Sequence, residues 1–360
     1  MPLLLTLTRI GRAALAGVLA YAVLAQPAAA DLAPSQGMAG NAAERQAFDP
    51  VEPQRAVRIR QLIADPERAC LPAAAVTTET PGAPAAVRPR APAGLAAAAD
   101  ALRASPVGAW LLDQAAARGV LICLDPATPL AAYYYAQPRL IGVQASLPAA
   151  ARTLYLAHEL AHVPQHPHYF NDRSFPVEDL ILMHRLREAT AEAIATRVLW
   201  QMRGRGQVEP WRAKLQTGYG DIARAFAAAM AGAADRRAPD DEVELSATRA
   251  AFDQWFASAL RLQQYDSHML DHLERIAQDR LGLIPPRRRL SERFLAGLAW
   301  YAGASFLTAG DMRQLTGAYY RAGLSGDNAA RLARVLDAGA EQLAGDAAAA
   351  AAADAAAPRP

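Results

Sequence analysis

A chain of 360 residues, about half of them hydrophobic, has enough apolar material for one large core or two smaller ones, which excludes intrinsic disorder as its overall state. Its 37 basic and 35 acidic residues leave a formal charge of +2, with none of the strong basic surplus that nucleic-acid binding requires. No nucleic-acid partner is expected, and the short Arg287-Arg288-Arg289 cluster reads as a solvated helix start.

Residues 1–30 have the pattern of a signal peptide. Arg9 and Arg12 form a positive n-region, Ala13 to Ala25 an apolar h-region, and Ala28-Ala29-Ala30 an A-x-A cleavage site. An apolar stretch of that length is too short for a hydrocarbon core that needs ~20 residues. The expectation is cleavage near Ala30, contact with a membrane only through the signal peptide before cleavage, and a periplasmic or secreted mature protein. Residues 31–98 follow as an Ala/Pro-rich segment, linker-like from Pro72 to Pro92, with a short helix around Arg55 to Ile63. The two cysteines, Cys70 and Cys123, are compatible with one disulfide, worth roughly 4 kcal/mol for a loop of that length. Their number and spacing offer no cysteine-based metal site.

From residue 99 to 205 the element types alternate. Ser105-Pro106 opens a helix with Pro at its first position, and Gly119 closes it. Val120 to Leu124 and Leu140 to Ala145 read as strands, the second as the edge strand of the sheet. Ser146 is placed to cap a helix starting near Pro148, and a long helix is predicted from about Pro176 to Met202, ending at Gly204. Residues 206–340 show amphipathic stripes without strand signals: Ile222, Phe226, Met230; Phe252, Trp255, Phe256, Leu260; Phe294, Leu298, Tyr301; Met312, Leu315, Tyr319. Residues 341–360, nearly all alanine, read as a disordered tail. The predicted fold class is α+β, mainly helical, with a small sheet followed by a helical bundle.

The chemistry is concentrated in His158-Glu159-Leu160-Ala161-His162, an HExxH pattern in a helical context. Positions i and i+4 share one helix face, so both imidazoles can address a single ion, with Glu159 beside the water it binds. The apolar turns before the motif predict a buried helix, where an unliganded His/Glu/His cluster would be costly.

Two residues are candidates for the third protein ligand. Glu188, 26 positions after His162 (188 minus 162), falls on an apolar stripe of the long helix that runs through Val177, Ile181, His184, Ala191, Glu192, Ala195 and Leu199. A carboxylate buried there needs a cation, and Glu192, one turn on, can accept the outward N–H of a ligating histidine. The alternative is His168, since His158, His162 and His168 have the spacing of HExxHxxGxxH, although Gln165 stands where that pattern has its glycine. His184, Tyr265 and His268 are polar candidates for stabilising an oxyanion.

The HExxH motif followed by Glu188-Ala189-Thr190-Ala191-Glu192 resembles the gluzincin arrangement HExxH…ExxxD/E. The stretch from about Gly119 through Leu273, including Tyr265-Asp266-Ser267-His268, is similar to a bacterial family of metallopeptidases of unknown function. The resemblance implies a zincin-like catalytic core over 99–205, one zinc ion at His158, His162 and Glu188, Glu159 as catalytic base, and a peptide or protein substrate. In this chain Glu192 replaces the Asp of many relatives, and Pro164 follows the second histidine closely and ends the helix. Two other functions fit the same motif: a catalytically inactive zinc-binding scaffold of the cell envelope, and an amidase acting on cell-wall peptides.

Overall fold

The computed structural model describes residues 53–64, 69–76, 92–136, 138–165, 176–233, 240–278, 291, 297–315, 320 and 323–356. The expected signal peptide, most of the 31–98 segment, His168, Arg287 to Arg289, Phe294 and Tyr319 lie outside the described residues. Helix α1 covers Pro53–Ala64, close to its expected bounds, and is followed by strand β1 (Cys70–Pro72) and a single helical turn, α2 (Ala73–Val76). The N-terminal part of the expected linker, residues 72–76, is therefore ordered against the sheet.

Helices α3 (Ala93–Leu102) and α4 (Pro106–Ala117) come next. α4 starts as its sequence requires: the Ser105 hydroxyl accepts from the Gly108 N–H, and Pro106 occupies the first turn, where no amide hydrogen is needed. Gly119 follows at φ +65°, a left-handed stop that a Cβ would strain.

Three strands follow: β2 (Leu121–Asp125), β3 (Ala132–Tyr135) and β4 (Leu140–Gln144). With β1 they form a four-stranded mixed sheet of order β1-β2-β4-β3, in which β2 and β4 run parallel and the outer pairs antiparallel. Cys70 stands opposite Cys123 in the β1–β2 register and is joined to it by a disulfide.

The strand expected at the edge, Leu140 to Ala145, is instead interior, paired on both sides. Its burial explains why: Ile141 and Val143 face the main core, while Leu140 packs in a small second cluster with Cys70, Cys123, Leu130 and Tyr133. A strand buried on both faces belongs inside a sheet. The edge is β3, whose aromatic run Tyr133-Tyr134-Tyr135 was not read as a strand. Gly142 of β4 makes this pairing possible, because a Cβ there would lie 2.2 Å from the Tyr133 ring.

Helix α5 (Ala149–His162) packs on β3 and β4 and ends in a 3₁₀ turn, Val163–Gln165, as Pro164 dictates. Ser146 does not cap it; the first turn follows Pro148 without a side-chain cap, and Arg152 instead reaches back to the carbonyls of Ala145 and Leu147. Helix α6 (Val177–Gly204) is the central strut: from Asp179 to Leu199 every residue but Arg187 is buried. Around it pack α7 (Glu209–Leu215), α8 (Gly220–Ala233), α9 (Asp240–Phe256) and α10 (Ala259–Gln278). A bidentate pair between Arg185 of α6 and Asp266 of α10, at 2.7 and 2.6 Å and fully buried, fixes the two helices against one another.

The stripe through Leu298 and Tyr301 is not helical at its end. Trp300–Tyr301 (β5) and Ala304–Ser305 (β6) form a hairpin whose two turn residues, Ala302 and Gly303, both have positive φ, the geometry that matches strand twist. The hairpin is anchored by the buried Tyr301, whose hydroxyl donates to the Ala161 carbonyl at 2.8 Å and whose ring meets Trp110 edge-on. Helices α11 (Ala309–Leu315) and α12 (Gly326–Ala356) complete the chain. The alanine-rich stretch expected to be disordered is helical as far as Ala356, in keeping with the high helix propensity of alanine. The architecture is thus the mainly helical α+β arrangement expected. Among the described residues, no helix is long and apolar enough to cross a membrane.

Candidate metal centre

Helix α5 places His158 and His162 one turn apart on the face turned toward α6, and α6 brings Glu188 to the same point. The two Nε2 atoms are 3.1 Å apart; Glu188 Oε2 lies 3.5 Å from His158 Nε2, and Oε1 lies 3.6 Å from His162 Nε2. A tetrahedral zinc ion with bonds near 2.0–2.1 Å requires its donors to be about 3.3 Å apart, and the spacing of these three side chains is close to that. Among the described residues this is the one group of three potential ligands drawn together in this way. His168 lies outside the described residues.

The other nitrogen of each ring faces a polar side chain. His162 Nδ1 is 2.9 Å from Gln165 Oε1, while Gln165 Nε2 donates to the Arg187 carbonyl at 3.0 Å. The Arg187 carbonyl can only accept, so the amide of Gln165 must present its oxygen to His162, and Nδ1 must carry the hydrogen. Nε2 of His162 is then a lone pair. His158 Nδ1 lies 3.1 Å from Glu192 Oε1, a contact outside the angle of a well-aligned hydrogen bond, and Lys214 pairs with Glu192 Oε2. Glu192 thus lies beside His158 without accepting a well-aligned hydrogen bond from it, whereas Gln165, singled out in the sequence only as a missing glycine, is the partner of the second histidine.

Electrostatics follow from burial and these contacts. Burial opposes the protonated form of His158, but the carboxylates of Glu192, Glu188 and Glu159 outweigh it and raise its pKa well above the ordinary value. Burial lowers the His162 pKa to about 4. Burial also opposes ionisation of Glu188, yet the neighbouring histidines hold its pKa down at about 2. Glu159, buried next to His158, is pushed up to about 7, first by burial and then by the charges of Glu188 and Glu192 against the opposing pull of His158.

The cluster opens on a cleft of about 270 Å³ whose lining includes Glu159, His184, Tyr265, Arg187, His272, and the β3 segment from Leu130 to Ala136. Of the three oxyanion candidates, His184 and Tyr265 line this cleft. His268 is not part of the lining; it is buried with its ring 5.7 Å from that of Tyr265. Tyr155, Met183 and Met269 also face the cleft and were not foreseen, since side chains of this kind at helical spacing carry no signal that separates a wall from a core.

An α+β fold whose central helix brings a glutamate to a histidine pair forms a site that could hold a metal ion beside a cleft. The chain belongs to a family described as a putative metallopeptidase family, whose profile matches residues 71–306, from β1 through the hairpin that anchors the Ala161 carbonyl. That span is longer than the Gly119 to Leu273 stretch expected from the sequence. No curated protein is significantly similar to the chain. No solved structure is either.

Proposed function

We propose that this protein is an exported zinc-dependent peptidase, with His158, His162 and Glu188 holding one zinc ion and Glu159 acting as general base. The observation that carries the reading is the confrontation of the two Nε2 atoms at 3.1 Å. With Nδ1–H of His162 committed to Gln165 and Nδ1 of His158 turned to Glu192, the two Nε2 atoms face one another and the Glu188 carboxylate. Such an arrangement calls for a positive charge, which a proton on His158 supplies in the absence of metal and which a metal ion held by both Nε2 atoms would replace.

A zinc ion held there supplies the positive charge that acidifies a water molecule and polarises a peptide carbonyl. The remaining work falls to the chain. Glu159 accepts the proton of the attacking water and delivers it to the departing amine. His184 and Tyr265 are the candidates for donating to the oxyanion. Strand β3 ends the sheet on the cleft side, so its outer edge can pair with an extended substrate backbone. The tyrosine and methionine walls then favour bulky apolar side chains on that substrate.

Glu159→Gln tests the reading. The variant should retain stoichiometric zinc and lose peptide hydrolysis by at least about 100-fold, the share general-base catalysis ordinarily contributes. Equal hydrolysis by both proteins would remove Glu159 from the chemistry. Release of fragments from peptidoglycan but not from casein would favour the amidase, and inertness of the wild-type, zinc-loaded protein on both would favour the scaffold.

A further inference from the structure

Helix α7 inserts one charged side chain into the protein interior. Lys214 is 1% exposed, packs against the Tyr219 ring at 5.2 Å, and pairs with Glu192, its one carboxylate partner among the described residues. Glu192 is itself buried and divides its two oxygens: Oε2 goes to Lys214, and Oε1 to His158 Nδ1 at 3.1 Å.

A buried ion pair of this kind is a weak source of stability, because withdrawing both charges from water costs about as much as their attraction returns. Two well-packed apolar residues would serve packing as well or better. What the pair does supply is direction. A glutamate side chain held at one oxygen has few orientations left for the other, and here the remaining orientation faces the outer nitrogen of His158.

We propose that Lys214 is a positioning residue for the metal centre: by holding one oxygen of Glu192, it keeps the other against His158 and so fixes the ring with Nε2 turned to the ion. The inference rests on the reading of His158 as a ligand. It extends the centre to a third layer, α7, which packs on both α5 and α6.

The test is a double-mutant cycle read as zinc affinity, by competition with a chromophoric chelator, on the full chain. Lys214→Met keeps the length and removes the charge; Glu192→Gln removes the carboxylate that Lys214 holds; circular dichroism of each metal-free variant monitors folding. Lys214→Met is expected to weaken zinc binding about 10-fold, at the low end of what outer partners of metal ligands contribute. In the Glu192→Gln background the same substitution should have no further effect, since Lys214 acts only through that carboxylate. Unchanged affinity in Lys214→Met, or an equal loss in both backgrounds, overturns the proposal. If Lys214→Met does not fold, comparison of Glu192→Gln with the double variant decides: equal affinities support the proposal, and a further loss overturns it. His158→Ala separates this from the underlying reading, because wild type and His158→Ala binding zinc equally weakly would sink the metal site itself.

Discussion

Replacing Gln165 by leucine removes two polar contacts at nearly constant volume, and the structure sets the size of each effect. Oε1 is lost from His162 Nδ1 (2.9 Å) and Nε2 from the Arg187 carbonyl (3.0 Å). The carbonyl lies within α6 and keeps its helical partner, so its loss costs about 0.5–1.5 kcal/mol. The buried Nδ1–H has no substitute and costs roughly 1–3 kcal/mol. The metal-free variant should therefore be about 2–4 kcal/mol less stable in urea unfolding. Without an acceptor at Nδ1, the proton of His162 is free to sit on Nε2, where it competes with the ion, and zinc affinity should fall about 10- to 100-fold. Gln165→Glu splits the two roles. It keeps an acceptor toward Nδ1 while setting a second acceptor against the Arg187 carbonyl, so it should bind zinc more tightly than Gln165→Leu while remaining less stable than wild type. A Gln165→Leu protein that held zinc as tightly as wild type in chelator competition would refute the assignment of the His162 tautomer.

Two further outcomes follow from the same geometry. Burial lowers the His184 pKa to about 3, below its unfolded value near 6.5, so the unfolded chain takes up this proton first as the solution is acidified. The stability involved is fully present above pH 6.5 and declines as pH falls toward the folded value; by pH 5 the loss amounts to about 2 kcal/mol. Chelator-treated wild type should accordingly lose about 2 kcal/mol more than His184→Leu between pH 7 and pH 5 in urea unfolding, and parallel losses would contradict it. Gly142→Ala places a Cβ 2.2 Å from the Tyr133 ring, which must move and give up its 2.9 Å bond to Asp125. We expect a cost of about 1–3 kcal/mol in thermal unfolding and a displaced β3 wall, seen as a raised KM with zinc content unchanged; wild-type values for both would mean that Tyr133 has room to spare.

How far the sequence disclosed this centre depends on whether a feature is periodic. His158 and His162 were legible because their separation is one helical turn, and Glu188 because a carboxylate on an otherwise apolar stripe asks for a cation. α4 was legible from its Ser-Pro start and Gly119 stop, both of which act through local backbone chemistry. The edge of the sheet was not: alternation in Leu140 to Gln144 suggested one solvated face, but the glycine at 142 makes room for the Tyr133 ring of the next strand rather than for water. Only the partner strand reveals that. The hairpin at Trp300 was hidden for a related reason, since two residues per strand are too few to show a period.

The supports of the two histidines illustrate the same limit at the site. Gln165 sits in a 3₁₀ turn three residues past His162, and Lys214 in a seven-residue helix, so neither belongs to a stripe that marks it. Their importance arises from where α6 lies, because α6 supplies the Arg187 carbonyl, Glu188 and Glu192 within six consecutive helical positions, 188 and 192 toward the imidazoles and 187 toward Gln165. One rigid helix thereby sets the proposed third ligand and the neighbours of both histidines together. A rotation or register shift of α6 would disturb all three at once, and the buried Arg185–Asp266 pair, next to His184 and Tyr265 in sequence, ties that helix to α10 at the same level. The proposed metal centre is thus as well ordered as the packing of α6, which is why a site written in five residues of α5 needs the burial of nearly the whole of α6 to be assembled.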